Sequence, residues 1–311
     1  MQKKTTQVVT AKYKPSFSVI MGLMVTLLVA ASLPSWAESP AHIMPTPWTT
    51  QLEQDITKKL PSEELKSYTT DEDETFSALY LPYMSAEKRG IAILIPDWHQ
   101  SPTSINNFSY LRESLTDDGF DTFALVVPEI NWQADILGDA LSDATATTTT
   151  TTSEVSDERE TVKDLVSEAV IDDYKKRLFA RFTKLYESLT MRPDEQLVVI
   201  AQGTSAGVLA EQFAKIPSLR VNAFVAVSAM LPNSKRNKHL PATLSLVGPA
   251  LLDLYYSTDT PIVTNAMIDR HRWARRNAKY DYRQRELYGL SHEPSQHARL
   301  RKEVDGFLRQ L

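Results

Sequence analysis

The sequence of 311 residues predicts an α/β fold, a single domain built on one doubly wound, mostly parallel sheet. Apolar runs long enough for buried strands alternate along the chain with stretches whose apolar residues recur every three or four positions, as in helices that cover a sheet. The length and a hydrophobic content of 42% suffice for one large core.

The first half of the predicted sheet begins at Thr75. Residues 75–83 alternate apolar and polar side chains, as a half-buried antiparallel strand does, and residues 90–98 form an apolar run typical of a strand covered on both faces. A helix follows, and residues 121–128 form the next buried strand. The apolar residues of that helix are Ile105, Phe108, Leu111 and Leu115. A strand, a helix and a strand in this order predict a right-handed βαβ unit.

The second half of the sheet is predicted after a long helix over residues 160–189. The apolar face of this helix carries Leu165, Val166, Val170, Tyr174, Leu178, Phe182 and Leu185. The elements expected after it are a strand at 197–202, a helix from about Ala206, strands at 221–229 and 249–257, a helix at 270–278, a strand at 281–289 and a last helix carrying Leu300, Val304, Phe307, Leu308 and Leu311.

The N-terminus has the pattern of a secretory signal peptide. Four lysines precede an apolar run from Phe17 to Leu33, and the small residues Ser35 and Ala37 bracket a cleavage site after Ala37. We therefore expect a signal peptide at 1–37, an N-terminal arm at 38–65, a single folded domain at 66–311, and a periplasmic rather than secreted protein. No stable membrane anchor is expected after cleavage.

A low-complexity insertion is predicted at about 131–158, where the sequence becomes acidic and Thr-rich. Residues 135–173 contain eleven acids against Arg159 and Lys163, and the run from Thr147 to Thr152 is uninterrupted threonine. Such a composition buries too little apolar surface to order itself, so we expect a solvated surface loop.

Composition excludes several classes of function. The net charge of −5 offers no general basic field for nucleic acid, and the absence of cysteine rules out disulfides and thiol nucleophiles. No cofactor is implied. His292, Glu293 and His297 lack a third metal ligand at a recognisable spacing, so no metal site is predicted. Residues 269–311 hold eleven Lys and Arg against six acids, which we interpret as a solvated helix face rather than an anion-binding surface.

Polar residues follow four of the predicted strands, where an open parallel sheet holds its reacting groups. They are Asp97, Trp98, His99 and Gln100; then Gly203, Thr204 and Ser205; then Asp259; then His292. Serine, acid and histidine in this chain order form the triad of α/β hydrolases, in which the imidazole takes the serine proton and the carboxylate orients the imidazole. The sequence supports a second role for Asp259 equally well, as the cap of the next helix.

From about Thr75 to Leu311 the chain resembles the α/β-hydrolase superfamily, with STDTPI at the usual place of the acid and GLSH at that of the histidine. Within it, the chain is most similar to an exported bacterial family, the domain-of-unknown-function 3530 family. The phrases that carry this resemblance are ILIPDWHQSP, LRESLTDDGFDTFALVVPE, IAQGTSAG, and YRQREL followed by VDGFLR. None of them is a catalytic signature.

Two alignments of the strand-to-helix turn at Gly203 remain open. Residues 203–207 match the G-x-S-x-G motif with Ser205 as nucleophile. Alignment by strand length instead puts Gly203 at the tip, with no nucleophile, and this is the alignment we favour. The preceding loop carries Pro96, which has no amide hydrogen, so the oxyanion donors would have to be the amides of Trp98 or His99.

Two functions therefore stay under consideration. One is an exported protein with a degenerate hydrolase fold that binds a small molecule or a protein partner. The other is a serine hydrolase of the esterase type that cleaves an acyl bond with Ser205, Asp259 and His292. Fold alone does not separate them, because this scaffold hosts both.

Overall fold

An eight-stranded sheet with helices on both faces forms the body of the protein. The computed structural model describes residues 46–104, 107–132, 134 and 166–311. The predicted signal peptide and most of the predicted insertion lie outside these residues. Thr46–Leu311 form one compact unit.

The strands and helices follow the alternation expected from the sequence. The strands are β1 (Leu65–Thr69), β2 (Thr75–Leu81), β3 (Gly90–Ile95), β4 (Phe120–Leu125), β5 (Gln196–Gln202), β6 (Ala223–Val227), β7 (Ala250–Tyr256) and β8 (Tyr282–Leu287). The described helices are α1 (Trp48–Lys59), α2 (Asn107–Asp117), α3 (Glu168–Ser188), α4 (Gly203–Lys215), α5 (Ser234–Leu244), α6 (Pro261–Thr264), α7 (Met267–Arg276) and α8 (Pro294–Leu308).

The strand order in the sheet is β1-β2-β4-β3-β5-β6-β7-β8. β1, β2 and β4 pair antiparallel, and every pair from β4 to β8 is parallel. In register, Gly90 of β3 lies between Phe120 of β4 and Gln196 of β5. The predicted fold class, a doubly wound and mostly parallel sheet, is confirmed.

Two apolar clusters, one on each face of the sheet, form the core. The first joins alternate residues of the strands to α3 and α4, through side chains such as Tyr174, Phe182 and Phe213. The second joins the opposite residues to α2 and α8, including Phe108, Leu111 and Phe307. The central strands β3, β5 and β6 are covered on both faces, which explains their continuous apolar sequences.

Several elements were not anticipated from the sequence. α1 lies within the predicted N-terminal arm and packs Ile56 against the second core cluster. α5 separates β6 from β7, although its sequence is polar and contains Pro241. α4 begins at Gly203 rather than at about Ala206, so the strand and the helix meet without a linker. Among the described helices, none combines the length and hydrophobicity needed to cross a bilayer.

Candidate functional site at the carboxyl edge of the sheet

The loops that carry the candidate residues lie at one edge of the sheet. β3, β5, β6, β7 and β8 run parallel, so their carboxyl ends meet at that edge. The residues that follow these strands include Asp97, Gly203, Ser228, Asp259 and His292. The topology thus brings all of the predicted loops to the same side of the protein.

The turn from β5 into α4, residues 202–204, is the sharp strand-to-helix connection that we call the elbow. Gly203 occupies its tip with a φ of 56°, in the left-handed region that glycine enters at no steric cost. In the α/β-hydrolase fold this strained turn is the position of the nucleophile. Here the residue with that backbone conformation has no side chain.

The carboxylate of Asp97 fills the space beside Gly203. A Cβ atom built on Gly203 would lie 2.4 Å from the Asp97 carboxyl carbon and from its Oδ2 atom. The Oδ1 atom accepts hydrogen bonds from the amides of Trp98 and Thr204, both at 2.8 Å. The Asp97 side chain therefore lies where an elbow side chain would begin.

The two amides that Asp97 engages lie at the positions that supply oxyanion donors in α/β hydrolases. Thr204 is the residue after the elbow tip, whose amide normally stabilises the tetrahedral intermediate in α/β hydrolases. Trp98 was one of two predicted substitutes for the missing amide of Pro96. Because both amides donate to a carboxylate of the chain itself, an oxyanion would have to displace Asp97 to reach them.

Burial raises the pKa of the Asp97 carboxyl above its ordinary value of 3.8. The amide hydrogen bonds and the nearby charge of His99 act in the opposite direction without cancelling that effect. The N-terminus of α4 also favours a negative charge here. The hydrogen bonds that the Asp97 carboxylate accepts come from backbone amides.

Replacing Asp97 by asparagine is expected to alter the pH dependence of stability. A pKa that is raised on folding gives a stabilising contribution that is complete below 3.8 and is lost as the pH rises through the raised value. The wild type should therefore lose stability relative to Asp97→Asn as the pH rises from 3.8 towards neutral. Urea unfolding across this range measures the difference, and a difference that does not change with pH would contradict the assignment.

Ser205 is fully buried in the first turn of α4 and faces α3. Its hydroxyl forms a hydrogen bond of 2.7 Å with the hydroxyl of Tyr174. Tyr174 is itself buried, and this burial raises the pKa of its phenol far above the ordinary value. The pair is an internal polar contact between α3 and α4, and sequence reasoning did not anticipate it.

Asp259 is engaged by Ser228 and by the backbone. The Ser228 hydroxyl donates to Asp259 Oδ2 at 2.6 Å, and the Tyr256 amide donates to the same oxygen at 2.8 Å. Ser228 adopts a φ of 50°, an uncommon conformation for a residue with a side chain. The N-cap of α6 is Thr260, so Asp259 fixes the loops after β6 and β7 instead of capping that helix.

His292 is exposed in the loop between β8 and α8. This loop contacts the loop that holds Asp259, since the Thr258 hydroxyl donates to the Gly289 carbonyl at 2.9 Å. Within the described ranges, however, no hydrogen bond or ion pair joins His292 to Asp259 or to Ser205. The structure brings the three predicted triad residues to one edge without connecting their side chains.

An aromatic group lies beside the elbow. The ring of Trp98 is 5.8 Å from Tyr174 and 5.9 Å from Trp132, and the exposed His99 ring stacks at 6.1 Å with Trp132. Trp132 is 53% exposed, unusually high for an indole. Trp98 and His99, predicted as oxyanion-loop residues, thus contribute rings to the rim of the site.

The histidine and acid near α8 do not form a metal site in the described part of the chain. His297 is buried and packs against the Tyr110 ring at 5.8 Å. The described residues contain no group of three or more His, Asp or Glu side chains that could hold a metal ion.

Comparisons with known proteins agree with this architecture. A family model described as a protein of unknown function, DUF3530, matches residues 16–310. Among solved structures, Est1E from Butyrivibrio proteoclasticus has a TM-score of 0.53 at 9% identity, covering 79% of this chain and 98% of its own. The esterase domain of a Rhodothermus marinus protein has a TM-score of 0.51 at 10% identity, covering 79% and 97%.

A serine hydrolase without lid from Xanthomonas campestris is also similar, with a TM-score of 0.48 at 13% identity over 81% of this chain and 96% of its own. The comparison with curated proteins finds no match. At about 10% identity, the two structures with TM-scores above 0.5 show a shared fold alone, and the activity of this chain has to be argued from its own residues.

Proposed function

Since the chain belongs to the DUF3530 family and has the α/β-hydrolase fold, we propose that it is a hydrolase-fold protein that binds a ligand or partner instead of cleaving an acyl bond. The observation that carries this proposal is the occupied elbow. Gly203 supplies no nucleophile, and the Asp97 carboxylate occupies both the side-chain space and the adjacent amides.

The fate of the predicted triad supports the same proposal. A serine becomes nucleophilic when an imidazole accepts its proton, and Ser205 bonds to the phenol of Tyr174, a far weaker base than imidazole. Asp259, the expected orienting acid, receives the Ser228 hydroxyl. Each candidate group therefore already has a structural partner of another kind.

The aromatic rim supports a binding role at this edge. Exposed tryptophan is uncommon on protein surfaces but common at recognition sites. Its large ring buries much apolar area on binding and loses little conformational entropy. Trp132 and His99 lie next to the elbow and are accessible to solvent. We further propose that the protein acts in the periplasm, on the strength of the lysine-rich start, the apolar run and the cleavage pattern ending at Ala37.

A fluorophosphonate probe tests the proposal directly. We expect intact-mass analysis to find no adduct on the native protein, under conditions in which a serine esterase of the same fold is fully labelled, because no serine of the elbow is activated. An adduct on Ser205 that is lost in Ser205→Ala would overturn the proposal and establish the serine-hydrolase alternative.

The free energy of unfolding tests whether the Ser205 hydroxyl stabilises the fold through its hydrogen bond to Tyr174. Ser205→Ala should destabilise the protein by about 1–3 kcal/mol, because it leaves the buried Tyr174 hydroxyl without its partner. The double variant Ser205→Ala/Tyr174→Phe removes both polar groups and should recover part of that loss. If Ser205→Ala costs nothing, the hydrogen bond has no structural weight and this support for the proposal fails.

A further inference from the structure

The last strand of the sheet, β8, has a free edge. It is the terminal strand of the sheet order and pairs only with β7 among the described residues. The carbonyls of Asp281 and Leu287 accept hydrogen bonds from β7 and from the residue after it. Since backbone groups alternate in direction along a strand, Tyr282, Gln284 and Glu286 present their amides and carbonyls away from β7.

A groove of about 750 Å³ runs along this edge. Its lining residues are His271, Tyr282, Arg283, Gln284, Arg285 and Gln310. The Arg283 guanidinium lies over the Phe307 ring at 5.8 Å and has no ion-pair partner among the described residues, whereas Arg285 is 3.6 Å from Glu303. Both arginines therefore lie on the α8 side of the sheet, and the lining contains no acid.

The charge of this region is opposite to that of the chain as a whole. The protein carries a net charge of −5, yet the lining of the groove holds two arginines, Arg283 and Arg285, and no acidic side chain. Charge attraction is then available to an acidic partner over a surface that is locally basic. The exposed rings of Tyr280 and Tyr288 flank the two ends of β8 and offer apolar contact.

A second copy of the chain is a poor occupant of the edge. In antiparallel pairing, opposite residues both point their backbone groups at the partner or both point them away. The two longest self-pairings that satisfy this rule place Arg283 opposite Arg285, or Arg285 opposite its own copy. Like charges directly opposite destabilise a strand pair, so the arginines select against self-association.

We propose that the free edge of β8 binds an extended, acidic segment of a partner protein by strand addition. The backbone groups of Tyr282, Gln284 and Glu286 supply the pairing. Acidic side chains at alternate positions of the partner lie on the α8 face against Arg283 and Arg285. This site is separate from the elbow and does not depend on the function proposed for it.

A fluorescein-labelled heptapeptide with alternating glutamate and valine tests the proposal by fluorescence anisotropy with the full chain. We expect saturable binding that weakens as salt is added, and no binding of the same peptide with lysine in place of glutamate. A glutamate peptide with N-methylated backbone amides keeps its charge but cannot pair, and we expect it to bind at least about tenfold more weakly.

Charge reversal supplies matched variants. Arg283→Glu/Arg285→Glu should abolish binding of the glutamate peptide and create binding of the lysine peptide. Arg275→Glu/Arg276→Glu makes the same change of charge on α7, away from the strand edge. It should change the affinity for the glutamate peptide less than about threefold, because solvent screens the interaction of these exposed side chains with the peptide. Circular dichroism confirms that both variants are folded.

Three results would overturn the proposal. One is the absence of glutamate-peptide binding to the native chain, and another is equal binding of the N-methylated peptide, which would indicate charge attraction without strand pairing. The third is a dimer, seen by sedimentation, that Arg283→Glu/Arg285→Glu disrupts, since this would make a second copy the occupant. None of these results affects the fluorophosphonate test of the elbow.

Discussion

Replacing Arg270 with methionine is expected to lower the free energy of unfolding by about 3–5 kcal/mol. The Arg270 and Asp253 side chains are both 0% exposed and form an ion pair of 2.9 Å. Arg270 also donates to the Ala229 carbonyl, and the Tyr282 hydroxyl donates to Asp253 at 2.9 Å. Methionine keeps most of the packing volume but leaves a buried carboxylate without its cation.

The same helix provides the control for this variant. Arg272 is exposed and pairs with Asp269 at 3.2 Å, so Arg272→Met should cost less than about 1 kcal/mol. The double variant Arg270→Met/Asp253→Leu removes both charges and should recover most of the lost stability. Urea unfolding of the four proteins measures these differences, and equal losses for Arg270→Met and Arg272→Met would contradict the buried pair.

Replacing Gly203 with serine is expected to destabilise the protein by about 2–5 kcal/mol, because the backbone strain of serine at a positive φ and the steric clash of its side chain with Asp97 add together. A φ of 56° is unfavourable for serine, and its Cβ would lie 2.4 Å from the Asp97 carboxyl carbon. The variant therefore should not gain a working nucleophile. Denaturant unfolding gives the loss of stability.

A second change at Asp97 should partly rescue that variant. Asp97→Gly removes the obstructing carboxylate, so the cost of Gly203→Ser in the Asp97→Gly background should fall by about 1–3 kcal/mol, the range of coupling between contacting residues. Gly306→Ser is the control, since nothing lies within 4 Å of a Cβ there and α8 gains a better helix former. Strictly additive effects at 97 and 203 would show that the two residues are not in contact.

Most of the sheet was predictable from apolar patterning. β3 and β5 are buried along nearly their whole length, and continuous apolar sequence is the direct consequence. β1 was missed because its residues are largely exposed and it has no apolar run to detect. α5 was missed because only one side of a short polar helix is buried and Pro241 lies inside it.

The elbow could not be resolved from sequence for a different reason. Strand length favours Gly203 at the tip, but GTSAG also matches the motif with Ser205 as nucleophile, because the residues that decide between the two alignments are distant in the chain. Asp97 meets Thr204 across 107 residues, and Tyr174 meets Ser205 across 31. The sequence places Asp97 in a candidate loop, but no local spacing predicts that its carboxylate lies against Gly203. The signal is tertiary packing rather than a motif.

The contact between Asp97 and Gly203 also constrains how this lineage can change. A serine codon at position 203 is a small genetic step, yet it meets the carboxylate supplied by a separate loop. Loss of Asp97 alone leaves the amides of Trp98 and Thr204 without their acceptor. Each single change is therefore expected to lower the stability of the protein, and residues 97 and 203 are expected to vary together. A side chain at the elbow therefore requires a change at residue 97 at the same time.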